Sequence, residues 1–414
     1  MTKKRVVVTG LGCLTPLGNS IDDFWDALLA GKSGANTINF LDIDALPVKF
    51  SASVKDFDVE KYFDRKETKK MDTFMLYGMA AGMDAVNDSK ILDANIDKNR
   101  IGVSIGSGIG GLANIESTRD TFNKSGSRRI SPFFVPASII NMISGNLSIK
   151  YGFKGPNLSI VTACTTGTHN IGEGFRQIQY SHADVMICGG AEMATSDLGV
   201  GGFAAARALS TRNDNPQAAS RPWDKDRDGF VLGDGAGVLV LEELEHAKKR
   251  GAKIYAEIKG YGMSADAFHM TLPSETGDGA SRCMTLALED ASITPEQVQY
   301  VNAHGTSTPA GDILELKAIK KTFGDSAHNL IINSTKSMIG HLLGAAGGVE
   351  AIVCILSILN EKIHQTINIE NLDEECDLNV NHVSNVDCQI ENALSNSFGF
   401  GGTNGSLVFS KYKE

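Results

Sequence analysis

Residues 281–309 read SRCMTLALEDASITPEQVQYVNAHGTSTP: a helix-like run, a short linker, a buried strand and a loop of glycine, serine and threonine. The same order occurs at residues 75–111, where MLYGMAAGMDAVNDSKI leads through an acidic segment into RIGVSIGSGIGG. After each loop come a strand end, a Ser/Thr-rich turn and a helix, in VTACTTGTHNIGEGFRQIQ (161–179) and INSTKSMIGHLLGAAGGVEAIVCIL (332–356). This repeated plan predicts two similar half-domains.

The rest of the chain has the same rhythm of strands and helices. Short apolar runs bounded by glycine or turn residues predict buried strands at residues 5–9, 101–105, 185–189, 237–241, 300–303 and 407–410. Helix-like stretches lie at residues 21–30, 74–87, 168–180, 243–250, 281–291, 312–323 and 345–359. An α/β fold follows. We predict a first half at residues 1–250, enlarged by polar insertions near 115–135 and 200–230, and a second half at 251–414.

Composition excludes several classes of protein. The net charge of −10 argues against nucleic acid as a partner, because phosphate binding needs a basic surface. No apolar run reaches the roughly 20 residues of a membrane helix, and the first residues lack the apolar core of a signal peptide. We therefore expect a cytoplasmic protein that does not enter a membrane. The seven cysteines are scattered without a CxxC pair, which disfavours disulfides and structural zinc.

Cys164 stands apart from the other cysteines because its surroundings are small and polar. It follows an apolar strand-like run and precedes a helix-like run, in VTACTTGTHN at residues 161–170. The free amides and the dipole of a helix N-terminus stabilise a thiolate, which is the form that attacks. Cys164 is therefore a candidate nucleophile. A buried core cysteine is the alternative interpretation.

Two histidines occupy corresponding places in the repeat. His304 follows a strand-like run in VNAHGTSTP, and His341 leads into a helix five positions after Lys336. Loops at strand ends are where α/β proteins place chemistry, although a lone histidine is often only structural. No HxxxH or HExxH spacing supports a metal site. A hydrolase with a Cys–His pair stays open as an alternative.

Two glycine clusters resemble dinucleotide-binding loops, but the sequence around them does not support such a site. GSGIGG at residues 106–111 matches GxGxxG, but no second strand ending in an acidic residue follows it. The earlier segment VVVTGLGCLTPLG has Pro16 where a helix would begin. Both segments are better explained by close glycine packing.

Four motifs together carry a resemblance to a known family. In chain order they are VTACTTGTHN (161–170), NAHGTSTPAGD (302–312), NSTKSMIGHLLGAAGGVEA (333–351) and NSFGFGGTN (396–404), with ASRPWDKDRDGFVLGDGAG (219–237) in support. They resemble the β-ketoacyl-acyl-carrier-protein synthases, most closely the elongating type II enzymes, over essentially the whole chain. The resemblance implies a thiolase-like fold, with two similar halves in five layers, αβαβα, and a homodimer.

The family resemblance also implies an activity. It is the decarboxylative Claisen condensation of acyl- and malonyl-carrier substrates in fatty acid elongation, through an acyl-Cys164 intermediate. The family's Cys-His-His catalytic set corresponds here to Cys164, His304 and His341. Alternatives are a ketosynthase of a polyketide pathway and a non-catalytic chain-length partner subunit. The intact nucleophile disfavours the non-catalytic partner.

The resemblance assigns roles to further residues. Lys336 orients the active-site groups electrostatically without acting as the base. Phe400 and Gly401 belong to a loop that gates the pocket and supplies a backbone amide to an oxyanion. The expected substrate contacts are the acyl-pocket residue Ile109, the pantetheine-binding residues Thr306 and Thr308, and Phe398.

The expected partner is acyl carrier protein, whose phosphopantetheine arm carries both substrates, so no free cofactor and no metal are expected. This carrier is strongly acidic as a family, and a chain with a net charge of −10 needs a local basic patch to bind it. The candidates for this patch are Arg65, Lys66, Lys69, Lys70, Arg128, Arg129 and Arg207.

Overall fold

The computed structural model describes residues 3–94 and 96–414. The strands are β1 (Val6–Leu14), β2 (Asn36–Thr37), β3 (Phe50–Ser51), β4 (Ile101–Gly106), β5 (Asn157–Leu158), β6 (Val185–Glu192), β7 (Gly235–Glu243), β8 (Ala256–Ala265), β9 (Tyr300–Asn302), β10 (Ile331–Asn333), β11 (Lys362–Ile363), β12 (Val386–Asp387), β13 (Asn392–Gly399) and β14 (Thr403–Ser410). The helices are α1 (Ile21–Leu29), α2 (Arg65–Thr68), α3 (Thr73–Ser89), α4 (Leu112–Ser125), α5 (Phe134–Ser138), α6 (Met142–Tyr151), α7 (Thr166–Gln179), α8 (Asp197–Ala205), α9 (Leu244–Lys249), α10 (Asp278–Ala291), α11 (Gly311–Phe323), α12 (Lys336–Ile339) and α13 (Ala346–Asn360).

One large sheet contains the duplicated plan. Within the described residues its ten strands lie in the order β10-β9-β13-β14-β8-β1-β7-β6-β4-β5. The antiparallel β1–β8 pair, with Val6 opposite Ile258, joins the two sections. The first section contains β1, β4, β5, β6 and β7, and the second section contains β8, β9, β10, β13 and β14. When the strands of each section are numbered in chain order, both sections have the spatial order 3-2-4-5-1 from the outer edge to the junction. In each section the first two pairings are parallel and the next two antiparallel.

Helices cover both faces of the two sections. On the outer face of the first section, α3 and α6 pack against β1, β4, β6 and β7, and α10 packs on β8 and β14 of the second section. Between the sections, α7 and α13 contact each other and strands of both halves. These contacts confirm the α/β fold with two similar halves in five αβαβα layers. The division at residues 250 and 251 stays a prediction.

Helix α13 is the most apolar of the central layer. With the turn before it, it forms the stretch Leu343–Asn360, which among the described residues is the one helix long and apolar enough to cross a membrane. Of this stretch, 89% is buried inside the protein. Its glycines allow close packing on α7, because a methyl group on Gly347 would lie 2.6 Å from the Thr168 nitrogen. The burial is that of a core helix.

Candidate active site

A cavity of about 490 Å³ opens at the ends of the central helices. Its walls are mostly apolar, and segments from both halves contribute to them. The structure brings most of the predicted site residues into this wall: Cys164, His304, His341, Ile109, Thr306, Thr308, Phe398, Phe400 and Arg207. Residues far apart in sequence therefore meet at one place, as the corresponding positions of the repeat predicted.

Cys164 lies in a short 3-10 turn, Ala163–Thr165, that leads directly into α7. Ala163 has a φ of 52°, a left-handed conformation that is costly for a residue with a side chain. The Cys164 side chain is only 7% exposed and lines the cavity. The backbone amides of Phe400 and of Cys164 itself lie near enough to its sulfur to act against the rise in the pKa of the thiol. These two amides are therefore the candidate donors to an oxyanion formed beside the sulfur.

The sequence predicted that the helix start would hold Cys164 as a thiolate, and the structure corrects this. Burial raises the pKa of Cys164 to about 11, and the Glu192 carboxylate adds to the rise. The positive charge of Lys336 and the two backbone amides act against it without reversing it. Cys164 is therefore a thiol near neutral pH, because desolvation outweighs the helix terminus.

His304 and His341 lie side by side. Their ring centroids are 5.3 Å apart and their planes are nearly perpendicular, at 88°. His304 follows β9, where its own amide and that of Gly305 donate to the Glu315 carboxylate at 2.9 and 2.8 Å. His341 follows α12, and its ring lies 5.2 Å from that of Phe230. Ring packing holds both imidazoles at the cavity wall, and the two amide hydrogen bonds anchor the backbone that carries His304.

Both histidines are neutral, and the tautomer of His341 is defined. Burial, helped by the charge of Lys336, lowers the pKa of each ring well below its ordinary value. The Leu343 amide donates to Nδ1 of His341 at 3.3 Å, so Nδ1 is an acceptor and the ring proton is on Nε2. His341 therefore presents a neutral N–H donor. Such a donor stabilises a developing oxyanion without requiring an acidic solution.

Lys336 lies behind the cavity wall. It is buried at the start of α12 and forms an ion pair with Glu350 of α13. Burial raises the pKa of Glu350 to about 7, although Lys336 opposes the rise. Lys336 does not line the cavity, yet its charge lowers the pKa values of Cys164, His304 and His341. This is the geometry of an electrostatic role.

The loop that is predicted to gate the pocket, residues 400–402, connects β13 to β14. Phe400 is 38% exposed and its ring lies 6.4 Å from that of Phe203. Gly401 and Gly402 have φ values of 86° and 71°. The Gly401 amide donates to the Met270 carbonyl at 2.7 Å, so the amide that faces Cys164 is that of Phe400. Of the two predicted residues, Gly401 forms part of the backbone turn, and Phe400 contributes the backbone amide near Cys164.

The predicted substrate contacts all line the cavity. The hydroxyls of Thr306 and Thr308 are 3.1 Å apart. Ile109 is on the loop after β4 and is partly exposed. Phe398 has its ring 5.8 Å from that of His304. Hydroxyls and apolar side chains thus line the same cavity.

The predicted basic patch lies wholly in the first half. Arg65 and Lys66 are on α2, and Lys69 and Lys70 follow it directly. The Lys70 ammonium lies 5.3 Å from the centre of the Phe133 ring. The remaining three arginines are exposed. Arg128 and Arg129 lie in the short turn Ser127–Arg129, and Arg207 lies at the cavity. Of the seven, Arg207 lines the cavity.

Sequence reasoning missed two buried carboxylates of the site. The Glu315 carboxylate accepts hydrogen bonds from the backbone amides of His304 and Gly305. The Glu192 carboxylate accepts one from the amide of Ile109, on the loop after β4. Burial raises the pKa of Glu315 to about 7. The available signal for Glu192 was a charged residue inside VMICGGAE, an otherwise apolar strand.

Comparisons with known proteins give concordant results. The chain matches the models of the β-ketoacyl synthase N-terminal domain over residues 3–247 and of the C-terminal domain over residues 255–370. It is 56% identical to the 3-oxoacyl-[acyl-carrier-protein] synthase 2 of Vibrio cholerae, covering 99% of this chain and 100% of the relative. The protein of the same name from Coxiella burnetii is also 56% identical, over 99% of both chains.

Solved structures have the same fold. A β-ketoacyl synthase from Burkholderia phymatum superposes with a TM-score of 0.92 at 37% identity, covering 99% of this chain and 100% of that one. A ketosynthase bound to its type II polyketide acyl-carrier protein superposes with a TM-score of 0.93 at 34% identity, covering both chains fully. The thiolase-like fold expected from the sequence is confirmed. The chain belongs to the β-ketoacyl synthase family.

Proposed function

We propose that this chain is a condensing enzyme of fatty acid elongation, a 3-oxoacyl-[acyl-carrier-protein] synthase. It joins an acyl group to malonyl-carrier protein through an acyl-Cys164 intermediate and needs no free cofactor. The observation that carries the proposal is the meeting of a cysteine with two neutral histidines in one largely apolar cavity. The first half, residues 1–250, supplies the nucleophile, and the second half, residues 251–414, supplies the histidines.

The first half-reaction transfers the acyl group to Cys164. The sulfur attacks the thioester carbonyl, a new C–S bond forms and the C–S bond to the pantetheine breaks. The thiol proton leaves Cys164 and ends on the pantetheine sulfur. The amides of Cys164 and Phe400 hold the oxyanion of the tetrahedral intermediate. The exchange of one thioester for another is nearly balanced, so the protein contributes chiefly through these donors and through position.

The second half-reaction forms the carbon–carbon bond. Malonyl-carrier protein loses CO2, and the electron pair of the broken bond forms an enolate. The Nε2–H of His341 and the ring N–H of His304 donate to the enolate oxygen. Each such donor lowers a barrier by about 3 kcal/mol. The carbanion then attacks the acyl-Cys164 carbonyl, the C–S bond breaks, and the departing sulfur takes up a proton from solvent to restore the thiol.

Ile109 limits the acyl chain that the cavity accepts. It lines the cavity from the loop after β4, close to Cys164. Shortening it to glycine removes bulk from the acyl path. We expect Ile109→Gly to change the distribution of accepted primer lengths in competition assays. An unchanged distribution would refute this role.

Acyl carrier protein is the proposed partner, and the enzyme works as a cytoplasmic homodimer. The exposed basic patch supports the carrier assignment by charge complementarity. The short edge strand β5 supports the dimer, because an open sheet edge surrounded by apolar side chains favours pairing with a second copy. The exposed apolar residues of this region are Phe133, Val135, Ile139, Leu158 and Val161.

The product identifies the reaction. Acyl-carrier and 13C-labelled malonyl-carrier are mixed with the enzyme, and the carrier-bound products are analysed by mass spectrometry. We expect a labelled β-ketoacyl-carrier, and none with His304→Ala. Release of free acid would indicate a hydrolase. A polyketide ketosynthase would extend the same chain repeatedly, whereas the 56% identity to elongation enzymes favours a single condensation.

A further inference from the structure

Glu192 is the last residue of β6, and its side chain is fully buried. Its Oε1 accepts hydrogen bonds from the Ser107 hydroxyl at 2.6 Å and the Ile109 amide at 3.1 Å. Its Oε2 accepts from the amides of Gly108 at 2.7 Å and Gly344 at 2.9 Å. Four donors from two separate segments therefore converge on one carboxylate, which fills its lone-pair sites.

The two segments approach Glu192 so closely that only glycine fits. A methyl group on Gly108 would lie 2.7 Å from Glu192 Oε2 and 3.4 Å from both the Ala163 carbonyl oxygen and the Gly344 nitrogen. A methyl group on Gly344 would lie 2.8 Å from the same Oε2. The acyl-pocket loop, the turn of the nucleophile and the turn before α13 thus cross at a single point.

Each segment leads to a different part of the reaction. The loop at residues 107–109 places Ile109 in the cavity wall. The residue before Gly344 is Leu343, whose amide fixes Nδ1 of His341 as an acceptor. Glu192 is also close enough to Cys164 for its charge to act on the sulfur. The Glu192 carboxylate therefore lies between the Ile109 loop, the turn that contacts His341 and the Cys164 sulfur.

We propose that Glu192 is a positioning residue that couples the acyl pocket to the condensing centre, holding Ile109 and the His341 turn in one unit. The proposal rests on the function proposed above. Glu192 does not touch the reacting atoms; it acts through backbone amides. Its consequence is that the Ile109 loop cannot move without giving up hydrogen bonds to the same group that supports the His341 turn.

A carboxylate is needed because all four partners are donors. Glutamine has the same shape but one acceptor oxygen, so one side of it must present N–H groups. Ser107 is the partner whose oxygen can accept instead, and the amide nitrogen is therefore expected to face Ser107 and Ile109. The Ile109 amide then loses its acceptor, while Gly108 and Gly344 keep theirs. Glu192→Gln should loosen the acyl pocket more than the His341 turn.

The test compares Glu192→Gln with wild type in two assays. The first measures the rate of acyl-adduct formation from hexanoyl- and myristoyl-carrier; we expect the long-to-short ratio to rise about tenfold, since a released loop yields to long chains. The second measures the rate of Cys164 alkylation against pH. Removal of a nearby negative charge should move the profile to lower pH.

Two control variants separate positioning from general loosening. Glu242→Gln removes a buried carboxylate at the opposite end of the β6–β7 pair, where Glu242 faces Val185. It should lower thermal stability without moving either readout. Ser107→Ala removes one donor and keeps the charge. It should raise the long-to-short ratio and leave the alkylation profile unchanged.

Three outcomes would overturn the coupling. They are a Glu192→Gln enzyme with an unchanged long-to-short ratio, an alkylation profile that does not move, and a Glu242→Gln enzyme that shifts both readouts equally. If Glu192→Gln fails to fold, an unchanged ratio in Ser107→Ala has the same force. The alkylation assay needs no carrier substrate. A wild-type enzyme that forms no β-ketoacyl product therefore defeats the proposed function separately.

Discussion

The fourth strand of each section ends against the turn that begins the central helix of the other half. β6 ends at Glu192 and packs on the turn Leu343–Ala345, and β13 ends at Gly399 and packs on the turn Ala163–Thr165. The two turns match closely: their first residues, Ala163 and Leu343, are left-handed, with φ values of 52° and 47°. Cys164 thus stands where the other half has a glycine.

The two strand ends differ in how they hold these turns. Glu192 fixes its turn with a buried carboxylate that accepts four hydrogen bonds. The β13 end continues into the loop at residues 400–402, with a partly exposed Phe400 and two glycines at positive φ. The duplicated fold therefore has one fixed contact, beside His341, and one adaptable contact, beside Cys164. A nucleophile that must receive substrate is placed at the adaptable end.

The largest expected effects come from substitutions that stop one half-reaction and spare the other, because the nucleophile and the histidines belong to different halves. Cys164→Ala should abolish the acyl adduct while malonyl-carrier decarboxylation continues, because the histidines remain. His341→Ala should keep the adduct and slow decarboxylation by about 10²- to 10³-fold, since one oxyanion donor is lost. Adducts are measured by intact mass and decarboxylation by CO2 release. Equal loss of both steps in both variants would contradict the division of labour.

A pair of glycine substitutions tests the fixed against the adaptable contact. Gly344→Ala should destabilise the protein by about 3 kcal/mol, because its methyl group meets Glu192 and the Gly108 backbone. Gly401→Ala has open space around the methyl group, and its cost should be about 1 kcal/mol for the left-handed backbone. Urea denaturation measures both. Equal losses of stability would remove the contrast between the two ends.

The electrostatics of the nucleophile turn give a smaller effect. With the pKa of Cys164 raised to about 11, its alkylation rate should climb with pH throughout the neutral and alkaline range. Lys336→Met removes a positive charge and raises this pKa further. Less thiolate is then present, so alkylation at neutral pH should slow by roughly tenfold. Lys320→Met on the outer helix α11 is the matched control, and faster alkylation in Lys336→Met would be the contrary result.

The smallest effect concerns the outer surface of the first half. Reversing Lys69 and Lys70 to glutamate should weaken carrier binding by about tenfold at low salt, and the difference should shrink as salt is added. Reversal of Lys320 and Lys321, which pair with Asp377 and Asp278 on the surface of the second half, should leave binding unchanged. Affinity is measured by calorimetry at two ionic strengths. A carrier affinity that does not change with salt concentration would contradict the role of the basic patch in carrier binding.

The repeat was readable from the sequence because its strands are apolar and its helices periodic. The predicted strand at residues 185–189 is part of β6, and the helix at 281–291 is the larger part of α10. The strand β13 was missed because its sequence, NALSNSFG, is polar although its middle is buried. The Ser397 hydroxyl, for example, lies 2.7 Å from the hydroxyl of the distant Thr168. Such long-range pairing leaves no local signal.

The site residues were predicted as types and positions, but their electrostatics were not. Motifs located Cys164, His304 and His341, and the structure brings all three to one cavity. The protonation of Cys164 was predicted from the helix start alone, whereas burial has the larger effect. The role of Glu192 depends on Gly344, 152 positions away, and tertiary packing alone brings the two together.

The most direct test of the account is intact-protein mass spectrometry with acyl-carrier alone, followed by malonyl-carrier. The account predicts one acyl adduct that maps to Cys164, stable until malonyl-carrier is added and then discharged into a β-ketoacyl-carrier product. An adduct on another residue, no adduct with any primer length, or discharge as free acid would contradict it.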